Sequence, residues 1–134
     1  MSSEKTFVVA INCLDGRVQD CVNRWLKNIY RADYVDVITA PGPVKILSSG
    51  EPEFMVASIQ KCLTVSVEEH HSPALAIVAH HDCAGNPLPK EEQVGQLKVA
   101  GERLRARFPE IDIRLLWVDE NWQVQEIETA ILQG

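Results

Sequence analysis

Two short clusters of cysteine, histidine and acidic residues could do chemistry in this sequence. The first is Cys13-Leu14-Asp15-Gly16-Arg17, and the second is His80-His81-Asp82-Cys83. Two thiolates and one imidazole form a donor set that suits zinc, which prefers tetrahedral sulfur and nitrogen ligands. The two clusters therefore predict a zinc site made by Cys13, His80 and Cys83. Three protein ligands would leave the fourth position of the metal open for chemistry.

Two adjacent histidines could supply the imidazole. The spacing to Cys83 and the register of the preceding strand favour His80, and His81 would then be partly exposed. His81 could shuttle protons, because a histidine ordinarily titrates near neutral pH. A solvated surface histidine is the alternative for His81.

Asp15 and Arg17 form a second pair beside the first cysteine. A guanidinium can hold a carboxylate with two parallel hydrogen bonds, which would keep Asp15 ionised and fixed in direction. Asp15 could then accept a hydrogen bond from hydroxide on the zinc and direct its lone pair at an electrophilic carbon. Alternatively, Asp15 could fill the fourth zinc position and close the site. A third interpretation is that Asp15 and Arg17 form only a surface ion pair, which contributes little to stability.

Hydrophobic patterning predicts strands and helices that alternate along the chain and could bring the two clusters together. Continuous apolar runs indicate buried strands, and apolar positions at helical spacing indicate amphipathic helices. The predicted strands are 6–13, 34–40, 74–79, 113–118 and an antiparallel return over 122–127; the predicted helices are 18–30, 53–70 and 90–108. We therefore expect one α/β domain over residues 1–134, with a parallel sheet of about four strands, an antiparallel edge strand and helices on both faces. Both clusters follow predicted strands, and ligands bind at the carboxyl ends of strands in such sheets.

Composition argues against several classes of partner. The chain has 134 residues and a net charge of -6, and an acidic chain repels nucleic-acid backbones. It has no polybasic patch for anionic lipid, and the longest apolar stretch near its start, residues 7–11, is too short for a signal peptide or a membrane span. We therefore expect no nucleic-acid or membrane partner, and a cytoplasmic protein if the source is a bacterium or archaeon.

The four cysteines divide into two kinds. Without a secretory signal the thiols stay reduced, so metal binding or catalysis outranks disulfide formation. Cys21 and Cys62 lie on predicted apolar helix faces, and cysteine is among the most buried residue types, so we expect both in the core. Cys13 and Cys83 instead lie at strand ends beside ionisable neighbours, which favours a ligand role.

Pro41-Gly42-Pro43 ends the second predicted strand. These residues could form a simple turn. They could also shape the floor of a pocket, where Gly42 would let the backbone approach a substrate. We favour Gly42 as a substrate-binding position.

Cys-x-Asp-x-Arg after a first strand, with His-x-x-Cys after a later strand, resembles the β-class carbonic anhydrases and their branch of small chains. The resemblance covers about residues 7–122. It implies that Cys13, His80 and Cys83 hold Zn²⁺ and that Asp15 and Arg17 are the catalytic pair. It also implies a lyase, a carbonate dehydratase, in which zinc-bound hydroxide reversibly hydrates carbon dioxide to bicarbonate. A homodimer or larger homo-oligomer, with the active site near the subunit interface, is implied as well.

The sequence departs from the family pattern at three places. Gly16 stands where the family usually has serine, Ala84 stands where it usually has glycine, and residues 39–43 replace its Arg-Asn-Ala-Gly stretch. Three alternatives stay open beside carbon dioxide hydration. They are hydrolysis of carbonyl sulfide or carbon disulfide on the same scaffold, a non-catalytic zinc-binding protein, and thiol redox chemistry by Cys13 and Cys83.

Overall fold

A five-stranded sheet of order β2-β1-β3-β4-β5 forms the centre of the computed structural model, which describes residues 4–127. The first four strands run parallel and the last runs antiparallel to its neighbour; they are β1 (Phe7–Cys13), β2 (Tyr34–Ala40), β3 (Ala74–His80), β4 (Asp112–Val118) and β5 (Val124–Ile127). Every residue of β3 is buried, as expected for a central parallel strand covered on both faces. The sheet confirms the predicted α/β class.

Four α-helices connect the strands within the described range, and they cover both faces of the sheet. They are α1 (Gln19–Tyr30), α2 (Pro43–Ser49), α3 (Glu53–Glu69) and α4 (Lys90–Arg107). One core lies between the sheet and α2, α3 and α4, and the other lies between the sheet and α1. Successive side chains of a strand point to opposite faces, so β1 places Val9 and Ile11 in the first core and Val8 and Ala10 in the second. None of the helices in residues 4–127 is long and apolar enough to cross a membrane.

Helix α2 is the main element that hydrophobic patterning did not predict. Gly42 precedes it in the left-handed conformation, Pro43 occupies its first turn, and Gly50 ends it, also left-handed. Proline suits the first turn of a helix and glycine suits its C-terminal cap. At seven residues, α2 is too short to show a helical period, and its stability comes from the four apolar side chains that it buries.

Two further expectations differ from the structure. Cys62 is exposed on α3, so the prediction that it lies in the core is wrong. The buried residues of that helix are Ile59, Leu63 and Ser66, and Cys62 lies at the exposed edge of the face that they form. Cys21 is half-buried against the α1 core. The last strand begins at Val124 rather than at residue 122, because residues 119–123 form the turn that reverses the chain.

Candidate metal centre

The carboxyl ends of β1 and β3 bring the two sequence clusters together. These strands are parallel neighbours, with Ile11 opposite Ile77. Cys13 is the last residue of β1, His80 is the last residue of β3, and Cys83 follows in the next loop. One donor atom from each of these three residues lies within 4.8 Å of the others, and all three side chains are buried. The two Sγ atoms are 3.8 Å apart. The topology therefore produces the convergence that the sequence predicted.

The imidazole of His80 is oriented as a metal ligand would be. Its Nδ1 atom lies 2.7 Å from the carbonyl oxygen of His81, so Nδ1 donates to that oxygen. Its Nε2 atom is buried and has no hydrogen-bond partner among the described residues. A buried polar atom without a partner is costly, and a cation bound at Nε2 would remove that cost. The donor set and this unpartnered nitrogen fit zinc, since zinc-binding histidines usually donate their second N–H to an oxygen.

The two thiols perturb each other because they are close and buried. A hydrogen bond from the Cys83 thiol lowers the pKa of Cys13, burial opposes this, and His80 with the backbone N–H groups of Gly42 and Asp15 lowers it further. Donation to Cys13 and burial raise the pKa of Cys83. Cys13 is therefore the more acidic of the two thiols. Binding of a divalent ion would favour ionisation of both, because thiols coordinate as thiolates.

Three amide side chains, two of them buried, hold the backbone that carries the candidate metal donors. Asn12 accepts the N–H of Cys13 at 2.9 Å, and the Gln19 side chain donates to the carbonyl of Cys13 at 2.7 Å. Gln93 donates to the carbonyl of His80 at 3.1 Å. Sequence reasoning missed these three amides. Asn12 could have been recognised from the sequence, because it is a polar residue inside an apolar strand. No sequence pattern distinguishes the two glutamines.

Asp15 and Arg17 form a two-pronged ion pair at the rim of the donor set. Nη2 of Arg17 lies 2.7 Å from Oδ2 of Asp15, and Nε lies 3.1 Å from Oδ1. Hydrogen bonding from Arg17 lowers the pKa of Asp15 to about 2, so the carboxylate stays ionised over the physiological range. Its Oδ2 atom is 4.0 Å from Nε2 of His80. A fixed negative oxygen thus lies beside the space between the three donors.

Gly42 packs closely against the backbone of the loop that follows Cys83. Its φ is +57°, and a Cβ atom there would lie 2.8 Å from backbone atoms of Gly85. A Cβ atom on Gly85 would in turn lie 2.6 Å from the backbone carbon of Pro41. The loop after β2 therefore packs directly on the loop after Cys83. This contact explains why glycine occupies position 42, and the substrate contact at Gly42 stays a prediction.

We expect Gly85→Ala to destabilise the protein by about 1–3 kcal/mol, the usual cost of overpacking. The added methyl group would meet backbone at Pro41 and Gly42, which cannot rotate away as a side chain can. Urea unfolding measures the change. Gly95→Ala is the control, because Gly95 lies in α4 with open space around it. Alanine there should stabilise by about 0.5–1 kcal/mol through helix propensity. A Gly85→Ala protein as stable as its parent would contradict the tight contact.

The other polar residues of the second cluster lie outside the donor set. His81 is exposed, and its backbone N–H donates to the carbonyl of Val118 at 2.9 Å. Asp82 is exposed in a turn, with a φ of +58°. Its carbonyl oxygen accepts a hydrogen bond from Arg17 at 3.2 Å. Trp122, which sequence reasoning assigned only to a strand, lies against the same guanidinium.

Comparison with known proteins gives a family and a fold. A family model described as "Putative carbonic anhydrase" matches residues 3–128. Among solved structures, a chain from the crystal structures of two tetrameric β-carbonic anhydrases of the filamentous ascomycete Sordaria macrospora is similar, with a TM-score of 0.61 and 10% identity. The similarity covers 96% of this chain and 83% of that one. At such low identity it establishes the fold alone, and it confirms the predicted architecture. No curated protein matches the chain.

Proposed function

Because this chain belongs to the family described as "Putative carbonic anhydrase", we propose that it is a zinc-dependent lyase that interconverts carbon dioxide and bicarbonate. Family and fold support a lyase of this kind. The observation that carries the proposal is the buried Cys13, His80 and Cys83 donor set with an ionised carboxylate at its rim.

Cys13, His80 and Cys83 would hold the ion. Bound zinc supplies a Lewis acid that lowers the pKa of water from about 15.7 to about 7. The protein's part is to keep three donors converged and buried. Asn12, Gln19 and Gln93 do this by restraining the backbone on either side of the ligands.

Asp15 would orient the attacking oxygen. Because Arg17 keeps it ionised, its oxygens can only accept hydrogen bonds. It would accept a hydrogen bond from the nucleophile, so that the lone pair of that oxygen points at the carbon of carbon dioxide. Water and carbon dioxide would give bicarbonate and one proton, which leaves to solvent. Both Asp15 oxygens already face Arg17, which favours this orienting role over closure of the metal site by Asp15.

Exposed His81 is adjacent to His80 and would be a candidate for passing that proton to solvent. We also propose that the protein works as a homo-oligomer. The tetrameric state of the similar solved structure supports this proposal.

The direct test is stopped-flow carbon dioxide hydration by zinc-loaded protein, measured beside sulfide release from carbonyl sulfide. We expect carbon dioxide hydration with a kcat/KM of at least about 10⁴ M⁻¹s⁻¹, the lower end of ordinary enzymes. Sulfide release without carbon dioxide hydration would show that carbonyl sulfide, rather than carbon dioxide, is the substrate. Neither activity at full zinc occupancy would favour a non-catalytic zinc protein. A Cys13–Cys83 disulfide with no metal in protein purified without chelator would favour thiol redox chemistry.

A further inference from the structure

Arg17 is held by more than its carboxylate partner. The ring face of Trp122 lies 4.4 Å from the guanidinium carbon, measured to the ring centroid. The carbonyl of Asp82 accepts Nη2 of Arg17 at 3.2 Å, and the Asp82 carboxylate lies 3.4 Å from Nη1. The guanidinium therefore has hydrogen-bond partners in Asp15 and Asp82, and it lies over the ring of Trp122.

These contacts use different parts of the guanidinium. Its N–H donors lie in the plane of the group, and an aromatic ring attracts the cation from above that plane. Stacking therefore leaves the in-plane donors free for Asp15. The Arg17 side chain is 45% exposed. Without the ring of Trp122, the Asp15 carboxylate would have to restrain a long side chain that has many rotamers open to it.

The turn between β4 and β5 fixes the position of Trp122. Its φ is +58°, a left-handed conformation that is uncommon for a bulky side chain. The backbone N–H of Trp122 donates to the carbonyl of Asp119 at 2.9 Å. The buried Asp119 carboxylate accepts the N–H groups of Asn121 and Gln123 at 2.9 and 3.0 Å. Such conformations persist only where the surroundings hold them, and here the Asp119 turn does so.

We propose that Trp122 is a positioning residue for the Asp15–Arg17 pair. Its indole face fixes the guanidinium so that Nε and Nη2 of Arg17 stay directed at the Asp15 carboxylate. The catalytic consequence rests on the proposed function. The stack itself does not, because it joins two distant segments of the folded chain whether or not the protein turns over substrate.

NMR tests the stack independently of catalysis. In ¹⁵N-labelled, zinc-loaded protein, the Arg17 Nε–H resonance is identified by its absence from Arg17→Lys. We expect ring-current shielding of this resonance in the parent, retention of much of it in Trp122→Phe, and its loss in Trp122→Leu. An Arg17 resonance that does not move between the parent and Trp122→Leu would overturn the proposal. Trp122→Phe keeps an aromatic ring and serves as the readout if the leucine variant does not fold.

Kinetics test the positioning role. Trp122→Leu should lower kcat/KM about two- to fivefold, which matches the modest strength of a partly exposed cation–π contact, while zinc content stays unchanged. Trp122→Phe should restore most of the loss. In the Arg17→Lys background, Trp122→Leu should cause no further fall in kcat/KM, because the planar guanidinium that Trp122 positions is gone. A full additional loss in that background would mean that Trp122 acts by another route. If the parent itself shows no turnover, the proposed function fails, and the NMR comparison still decides the stack.

Discussion

Replacing Cys83 with serine is expected to abolish stoichiometric zinc binding and to reduce carbon dioxide hydration to background. The substitution removes one of three buried donors, and a serine hydroxyl does not ionise to a strong ligand as a thiol does. Loss of an outer partner of a metal ligand typically costs about 10–100-fold in affinity, so loss of a ligand should exceed that. Elemental analysis of protein dialysed against a weak chelator measures zinc per chain.

Cys62→Ser is the matched control for this experiment. Cys62 is exposed on α3, away from the donor set, so the variant should keep one zinc per chain and full activity. Cys13→Ser and His80→Ala should behave like Cys83→Ser, because each of the three residues offers one donor atom to the same cluster. Stoichiometric zinc in Cys83→Ser would show that the metal binds elsewhere.

Asp15→Asn is expected to lower kcat by about 10²–10³ while zinc stays bound, the usual effect of removing one preorganised electrostatic group. An amide carries no charge to hold both arms of Arg17, and its NH₂ group can donate where the carboxylate could only accept. Stopped-flow hydration with parallel metal analysis measures both quantities. Since the pKa of Asp15 is about 2 in the parent, loss of activity between about pH 5 and 8 should come from other groups.

Asp20→Asn provides the control with the same chemical change. Asp20 is an exposed residue in the first turn of α1, and its neutralisation should leave both zinc content and rate close to those of the parent. Two results would contradict the orienting role. Undiminished turnover in Asp15→Asn would make the ion pair structural, and loss of zinc from that variant would make Asp15 a ligand that closes the site.

The sequence by itself determined the alternation of strands and helices, and with it the edge at which the site forms. Apolar runs and helical stripes are local signals, so all five strands and the three long helices were predictable to within about two residues. Parallel strands end at one edge, so the sequence also placed both clusters at that edge. Their convergence further requires β1 and β3 to be neighbours, which the order of strands in the folded sheet provides.

Only the tertiary structure decided the contacts made between distant segments. The stacking of Trp122 on Arg17 depends on where the turn after β4 folds back, and no local pattern encodes that distance. The close packing of Gly42 on Gly85 and the exposure of Cys62 likewise depend on how loops and helices dock. Helix α2 forms because seven residues bury their apolar side chains against the sheet, a stabilisation that exists only after the sheet has assembled.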